Sequence, residues 1–272
     1  MLRILIGRKC VAYALIRQHV RGRVGLEIGG PSFVFSRWGI IPIYGLAARL
    51  DACDYAMQTV WNSQQPLPTK MVYRNARFGF QVVCEAGRRL ALRAGVYDFV
   101  LASHVLEHCA NPLMAITEWK RVLRPDGVML LLVPRKEAIF DHRRPYTAFA
   151  HLEKDFREGV DEDDLTHLEE IIALHDLSLD PHAGSWPQFR ERGLRNAENR
   201  CLHHHVFSPE LLIEACIWAK MAVLSVSVER PNHIIVFAAK AANDRLEADN
   251  RRFLELDAEW RRRFWEPTTA HS

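Results

Sequence analysis

The stretch VGLEIGGPSFVFS, residues 24–36, closes an apolar run with the acid Glu27 and then places Gly29, Gly30, Pro31 and Ser32 in succession. A strand that ends this way lets bare backbone come close to a ligand, because glycine has no Cβ and tolerates positive φ. Alone, the pattern fits a plain turn as well as the mouth of a nucleotide-type cofactor site. A second set of reactive side chains lies further on, where most of the 13 histidines fall between His104 and His205. Histidine is the usual general base because its ordinary pKa of about 6.5 lies near working pH. In FDHRRPYT, His142 is the candidate base, Asp141 orients it, and His104 is the second choice. Arg143 and Arg144 offer cations for a phosphate or carboxylate on a substrate, or else a surface ion cluster with a solvated histidine. His203, His204 and His205 are candidate acceptor-binding groups.

A metal is the alternative use of these histidines. His167 and His175 in DLTHLEEIIALHDL are eight residues apart, about 2.2 helical turns, and so share one face. With His205 they form a possible ligand set, since imidazole suits zinc, iron or manganese. No tight ligand motif such as HExxH accompanies them. The favoured reading is no metal, with the histidines bonding within a polar lid.

The elements that must position these groups follow from hydrophobic period. Gly25–Ile28, Ile40–Tyr44, the FGFQVVCEA stretch, Tyr97–Ala102 and VMLLLVP read as strands, and NPLMAITEWKRVL as a helix that Asn111-Pro112 starts and RPDG stops. Val11–His19 reads as an amphipathic helix. Strands alternating with helices predict a doubly wound, mostly parallel α/β sheet. After Pro134 the pattern breaks into a polar, His-rich insertion with one amphipathic stretch. Order resumes at FSPELLIEACIWAK, where Ser208 caps a helix with Pro209 at its first position. VLSVSVE and HIIVFAAK then form an edge hairpin around Arg230-Pro231-Asn232, with one strand antiparallel. The expected divisions are an N-terminal helix at 1–22, a core at 23–134, a lid at 135–205, completion of the sheet at 206–240 and a C-terminal helix at 241–272.

The block YDFVLASHVLEHCANPLMAITEWKRVLRPDGVMLLLVP resembles class I S-adenosylmethionine-dependent methyltransferases, in the branch with LEH after the fourth strand. The longer pattern with EIGGPS, FDHRRP and CLHHHVF is similar to methyltransferases of bacterial surface-sugar or natural-product pathways. The resemblance implies a Rossmann-like fold and S-adenosylmethionine as cofactor, leaving S-adenosylhomocysteine as product. It places Glu27, Gly29, Gly30, Pro31 and Ser32 at the methionine end, with Pro31 where the family has a second glycine. Glu85 and Ala86 fall beside adenine, and Ser103 and His104 line the cofactor. This cofactor has no diphosphate, so the phosphate-binding glycine spacing is not required. A ribose-binding carboxylate is expected about 20 residues beyond the glycines; Asp51, 21 positions after Gly30, fits, with Asp54 as the fallback. The activity implied is O-methylation of a small polar acceptor such as a sugar. The rivals are a metal-assisted methyltransferase and a non-catalytic binding or scaffold protein with a degenerate pocket, for which Pro31 speaks.

The whole chain agrees with an enzyme of this kind. Its 272 residues suffice for one domain with a long insertion. A net charge of +3, from 36 basic and 33 acidic residues, is too balanced to point to nucleic acid. The apolar start is interrupted by Arg8, Lys9 and Arg17, so it reads as neither signal peptide nor membrane span. Six cysteines without CxxC or regular spacing predict no disulfide framework and a cytoplasmic location. Leu246, Phe253 and Trp260 recur every seven residues, giving a C-terminal helix that docks on its own domain or pairs with a second copy.

Overall fold

Apolar runs covered on both faces become the strands of one central sheet in the computed structural model, which describes residues 9–55, 72–73, 76–77, 79–84, 86–87, 90–240, 250–255 and 258–264. The strands are β1 (Val24–Ile28), β2 (Arg49–Asp54), β3 (Gln81–Val83), β4 (Tyr97–Ser103), β5 (Leu123–Pro134), β6 (Met221–Glu229) and β7 (His233–Lys240). The seven lie in the order β3-β2-β1-β4-β5-β7-β6. The first five are parallel, and β7 runs antiparallel to both of its neighbours. The fold is therefore the doubly wound, mostly parallel Rossmann-like architecture expected from the alternating pattern. The terminal hairpin forms the sheet edge as expected, with its second strand antiparallel between β5 and the edge strand β6.

The period of two along the strands divides the core between the two faces. Met129, Leu131 and Val133 of β5 pack with Leu26, Ile28, Val100 and Ala102 against α2 (Pro112–Val122), which contributes Leu113, Ile116 and Trp119. Val128, Leu130 and Leu132 face the other way, onto Phe99, Leu101, Ile235 and Phe237 and onto Ile16 and Val20 of α1 (Tyr13–Val20). Asn111 caps α2 by accepting from the Met114 N–H, with Pro112 at the first position. RPDG ends the helix but belongs to the start of β5.

Several local expectations are corrected. Ile40–Tyr44 is not a strand; it folds back on the preceding turn through Ile41 N–H to Val34 O and Ile43 N–H to Phe35 O, and β2 begins only at Arg49. Cys53 and Cys84 form a disulfide between the ends of β2 and β3, where no bridge was expected, because parallel pairing brings together cysteines 31 residues apart. The insertion contains more helix than its polarity suggested: α3 (Phe149–Glu158), α4 (Leu168–Leu174) and α5 (Trp186–Leu194). Each buries few apolar side chains. Helices α4 and α5 share a cluster, with Leu168, Ile171, Phe189 and Leu202, that is separate from the two main cores, whereas α3 packs Leu152 into the main core. Helix α6 (Pro209–Trp218) has the expected Ser208 cap, which accepts from the Leu211 N–H.

Trp260, on α7 (Glu259–Phe264), is buried in the main core, and Arg261 pairs with Glu210 of α6. This C-terminal segment docks on its own domain; Leu246 lies outside the described residues. Among the described residues no helix is long and apolar enough to cross a membrane.

Candidate active site

Strand order reverses between β1 and β4, and in open parallel sheets ligands bind outside the carboxyl ends of the strands at such a point. A cleft of about 1110 Å³ opens there. Gly29, Gly30 and Pro31 after β1, Asp54 at the end of β2, Ala86 and Gly87 after β3, Ser103 and His104 at the end of β4, and Pro134 at the end of β5 all line it. The opposite wall comes from the insertion and includes Phe140, Glu162, Asp180, Arg192, Arg200 and His203. That volume is at the upper end of the usual range for small-molecule sites, large enough for more than one drug-sized group.

Glu27, at the end of β1, is fully buried and does not line this cleft. Its carboxylate accepts the Ser32 N–H at 2.9 Å and the Tyr44 hydroxyl at 2.8 Å, so it shapes the glycine turn from beneath. Burial pushes this carboxyl up to about 7 against the pull of those hydrogen bonds. Gly29 has φ +69°, and a Cβ on Gly30 would stand 2.3 Å from the Glu27 carboxyl carbon, so packing demands both glycines. Ser32 serves the same corner through its backbone and is not a lining residue either.

Asp51 sits at the third position of β2 rather than at its end. Its side chain accepts the Tyr97 hydroxyl at 3.1 Å and the Phe80 N–H at 3.0 Å, away from the cleft. The mistaken strand at 40–44 put the end of β2 too early, and the carboxylate at the true end is Asp54. Glu85 lies outside the described residues; its neighbour Ala86 is at the cleft.

His104 has φ 55°, in the left-handed region that few non-glycine residues adopt. Its Nε2 lies 2.9 Å from His233 Nδ1, and its Nδ1 lies 3.5 Å from Glu107 Oε1. Glu107 is buried on the cleft wall, and among the described residues neither of its oxygens meets hydrogen-bond geometry with a partner. Burial pushes Glu107 up, but His104, His108 and His203 together hold it below the usual carboxylate range. Burial and the nearby His203 depress His108 to about 4, so its ring is neutral at ordinary pH. Glu107 and His108 belong to the LEH turn quoted above, yet the sequence reading stopped one step short of them, at His104.

The Asp141 carboxylate does not orient His142. It accepts from His203 Nδ1 at 2.5 Å and from Arg144 Nη1 at 3.2 Å. His142 instead bonds to Asp176 at 2.9 Å, outside the cleft, and Arg143 pairs with the same carboxylate. Arg144 is fully buried, held by Asp141, by Glu170 and by the His203 and His204 carbonyls, so it is a strut and not an anion receptor. His204 bonds to Asn196, His205 to Asp155, and His175 lies between Phe140 and Phe189 near Asp180. Of the three consecutive histidines only His203 faces the cleft, and His175 stands apart from His167 and His205.

Residues 35–131 match the family described as Methyltransferase domain. No curated protein matches the chain. Among solved structures, it is similar to an S-adenosylmethionine-dependent methyltransferase from Aquifex aeolicus, at 12% identity and TM-score 0.46 over 87% of this chain and 91% of that one. It is also similar to one from Mesorhizobium loti, at 12% identity and TM-score 0.48 over 85% and 98%. A third is the 1,6-didemethyltoxoflavin-N1-methyltransferase of Burkholderia thailandensis with bound 1,6-didemethyltoxoflavin and S-adenosylhomocysteine, at 16% identity and TM-score 0.45 over 85% and 76%. The matched segment runs from Phe35 into β5, across the ends of β2, β3 and β4, and on this mostly parallel sheet residues 35–131 carry a methyltransferase domain.

Proposed function

We propose that the protein methylates a hydroxyl of a small, polar, uncharged acceptor, such as a sugar or sugar-containing precursor, with His203 as general base. The observation that carries this reading is the Asp141–His203 pair on the cleft wall facing the strand ends. Bound in the cleft, S-adenosylmethionine supplies an electrophilic methyl group on a sulfonium. The backbone at Gly29 to Pro31 receives its amino-acid end, Asp54 accepts from the ribose hydroxyls, and Ala86 with Gly87 borders the base. These roles follow from each residue's place at a strand end.

His203 takes the acceptor's proton at Nε2 as the new oxygen–carbon bond forms. Asp141 keeps the Nδ1–H engaged throughout, which holds the tautomer and favours the imidazolium produced. Glu107 steadies the same cation and offers a carboxylate oxygen to a second hydroxyl. Arg192 and Arg200 face Asp180 at 3.4 Å and Glu162 at 3.9 Å, so this wall is polar but charge-balanced. Such a wall suits hydroxyl groups better than a phosphate. Alignment of acceptor and methyl supplies much of the remaining acceleration.

A metal-assisted reaction is the second reading, because ligand atoms of Glu107, His108 and His203 lie within 4.8 Å of one another. His108 Nδ1 is 3.0 Å from the Leu202 carbonyl, which fixes the ring against the cleft wall, and three protein ligands leave a position open. The deciding experiment incubates the enzyme with methyl-labelled S-adenosylmethionine and fractionated polar metabolites, before and after chelation. O-methylated product that is indifferent to chelator supports the base mechanism. Activity that chelator removes and metal restores, in wild type and in the His151→Ala protein alike, supports the second reading, and no binding of S-adenosylhomocysteine at high micromolar concentration supports a scaffold.

A further inference from the structure

Helix α3 carries His151 and Asp155 one turn apart, so their side chains leave one face. His167, just before α4, and His205, from the segment leading to α6, close on that face. His151 Nε2 and His167 Nε2 lie 3.1 Å apart, His205 Nε2 lies 2.9 Å from Asp155 Oδ2, and His151 Nε2 lies 3.3 Å from the same oxygen. One ligand atom from each residue lies within 4.8 Å of all the others. The three imidazole rings surround the point with centroids 4.9, 5.4 and 5.6 Å apart.

Hydrogen bonding alone is a poor account of this cluster. His151 Nε2 faces both a ring nitrogen and a carboxylate oxygen, with at most one hydrogen to give. Asp155 Oδ2 is shared by two histidines. A tetrahedral ion requires such convergence: bonds of about 2.0–2.2 Å to imidazole nitrogen and carboxylate oxygen set ligand atoms roughly 3.3–3.6 Å apart.

We propose that His151, Asp155, His167 and His205 bind one tetrahedral divalent metal ion, zinc by their ligand chemistry. Four protein ligands leave no position for a substrate, so the ion is structural. It clamps α3, the start of α4 and the segment 203–205, whose first residue faces the cleft. Through the Asp155 carbonyl, which accepts from the Asn111 side chain at 3.0 Å, the clamp also reaches the cap of α2. None of the four residues lines the cleft. The site lies behind the segment that carries His203, and its metal content can be read without the acceptor or the cofactor.

The test strips the purified full-length protein with chelator and titrates it with zinc, measuring metal by mass spectrometry, and in parallel with cobalt, whose visible spectrum reports coordination geometry. One zinc per chain and a tetrahedral cobalt spectrum are expected. His151→Ala and His167→Ala weaken zinc binding at least tenfold, since even partners of metal ligands contribute that much, whereas His108→Ala leaves it unchanged. Circular dichroism of each variant separates metal loss from unfolding. The proposal is overturned if the wild type takes up neither ion stoichiometrically or cobalt is octahedral. It is also overturned if the folded His151→Ala protein keeps the zinc while His108→Ala loses it. Metal stoichiometry needs neither cofactor nor acceptor, so failure here and failure of the methyl-transfer reading are distinguishable.

Discussion

The carboxylate of Asp141 turns away from His142, its neighbour in the chain, and holds the ring of His203, 62 residues further on. A base so oriented has a definite signature. Replacing His203 with alanine lowers turnover by about two to four powers of ten and leaves affinity for S-adenosylhomocysteine close to wild type by calorimetry. His142→Ala turns over normally. A His203→Ala enzyme with undiminished rate removes this histidine from the chemistry.

The same pair sets a pH profile. Burial pushes His203 down, but Asp141 and then Glu107 more than offset this and hold it above the ordinary imidazole value. A general base works as the neutral ring, so turnover rises with pH through that raised value. Asp141→Asn removes the main raising charge; the rising limb moves to lower pH and the maximal rate falls. A limb that stays in place under Asp141→Asn assigns the titration to another group.

Glu27 makes the fold itself sensitive to pH. Its carboxyl titrates near 7 when folded against about 4.5 when free, so between these values the folded protein keeps a proton that the unfolded chain has lost. Stability is complete below about pH 4.5 and is lost as pH rises to about 7, by on the order of 3 kcal/mol. Denaturant titrations of wild type and Glu27→Gln at pH 5 and pH 8 test this. The wild type should lose more stability than the variant, and equal losses would falsify the assignment.

Asp54 and Asp51 separate cofactor binding from folding. Asp54→Asn removes charge-assisted hydrogen bonds to the ribose, each about 1.5–3 kcal/mol, and weakens S-adenosylhomocysteine roughly tenfold to a hundredfold. Asp51→Asn leaves binding intact but lowers the melting temperature, because the amide keeps an accepting oxygen for only one of the Tyr97 hydroxyl and the Phe80 N–H. The reverse outcome returns the ribose role to Asp51.

The glycine turn responds to any side chain. An alanine at Gly29 must take φ +69° with its Cβ 2.5 Å from Val105 Cγ2, and one at Gly30 meets the Glu27 carboxyl. Each costs about 1–3 kcal/mol of stability and weakens cofactor binding. Gly45→Ala is the control, since nothing lies within 4 Å of its new Cβ. Chemical denaturation that ranks all three alike contradicts the packing described for this corner.

Sequence alone determined the parts that depend on local period and local capping. The run through β4, α2 and β5 declares its faces by spacings of two and of three to four, and Asn111-Pro112 and Ser208-Pro209 announce where helices begin. The glycine turn and the LEH turn were legible for the same reason, since each adjoins a strand whose apolar run is continuous. Tertiary structure decided what the polar side chains do. Asp141 could be matched in sequence only to its neighbour His142, whereas folding of the insertion turns it to His203. Asp51 lost the strand end to Asp54 because its register against β1 is fixed by pairing that begins at Arg49. The cluster of His151, Asp155, His167 and His205 exists only where three separate segments meet. A carboxylate or an imidazole takes its partner from whatever the fold brings within about 3 Å, and sequence distance carries no such information.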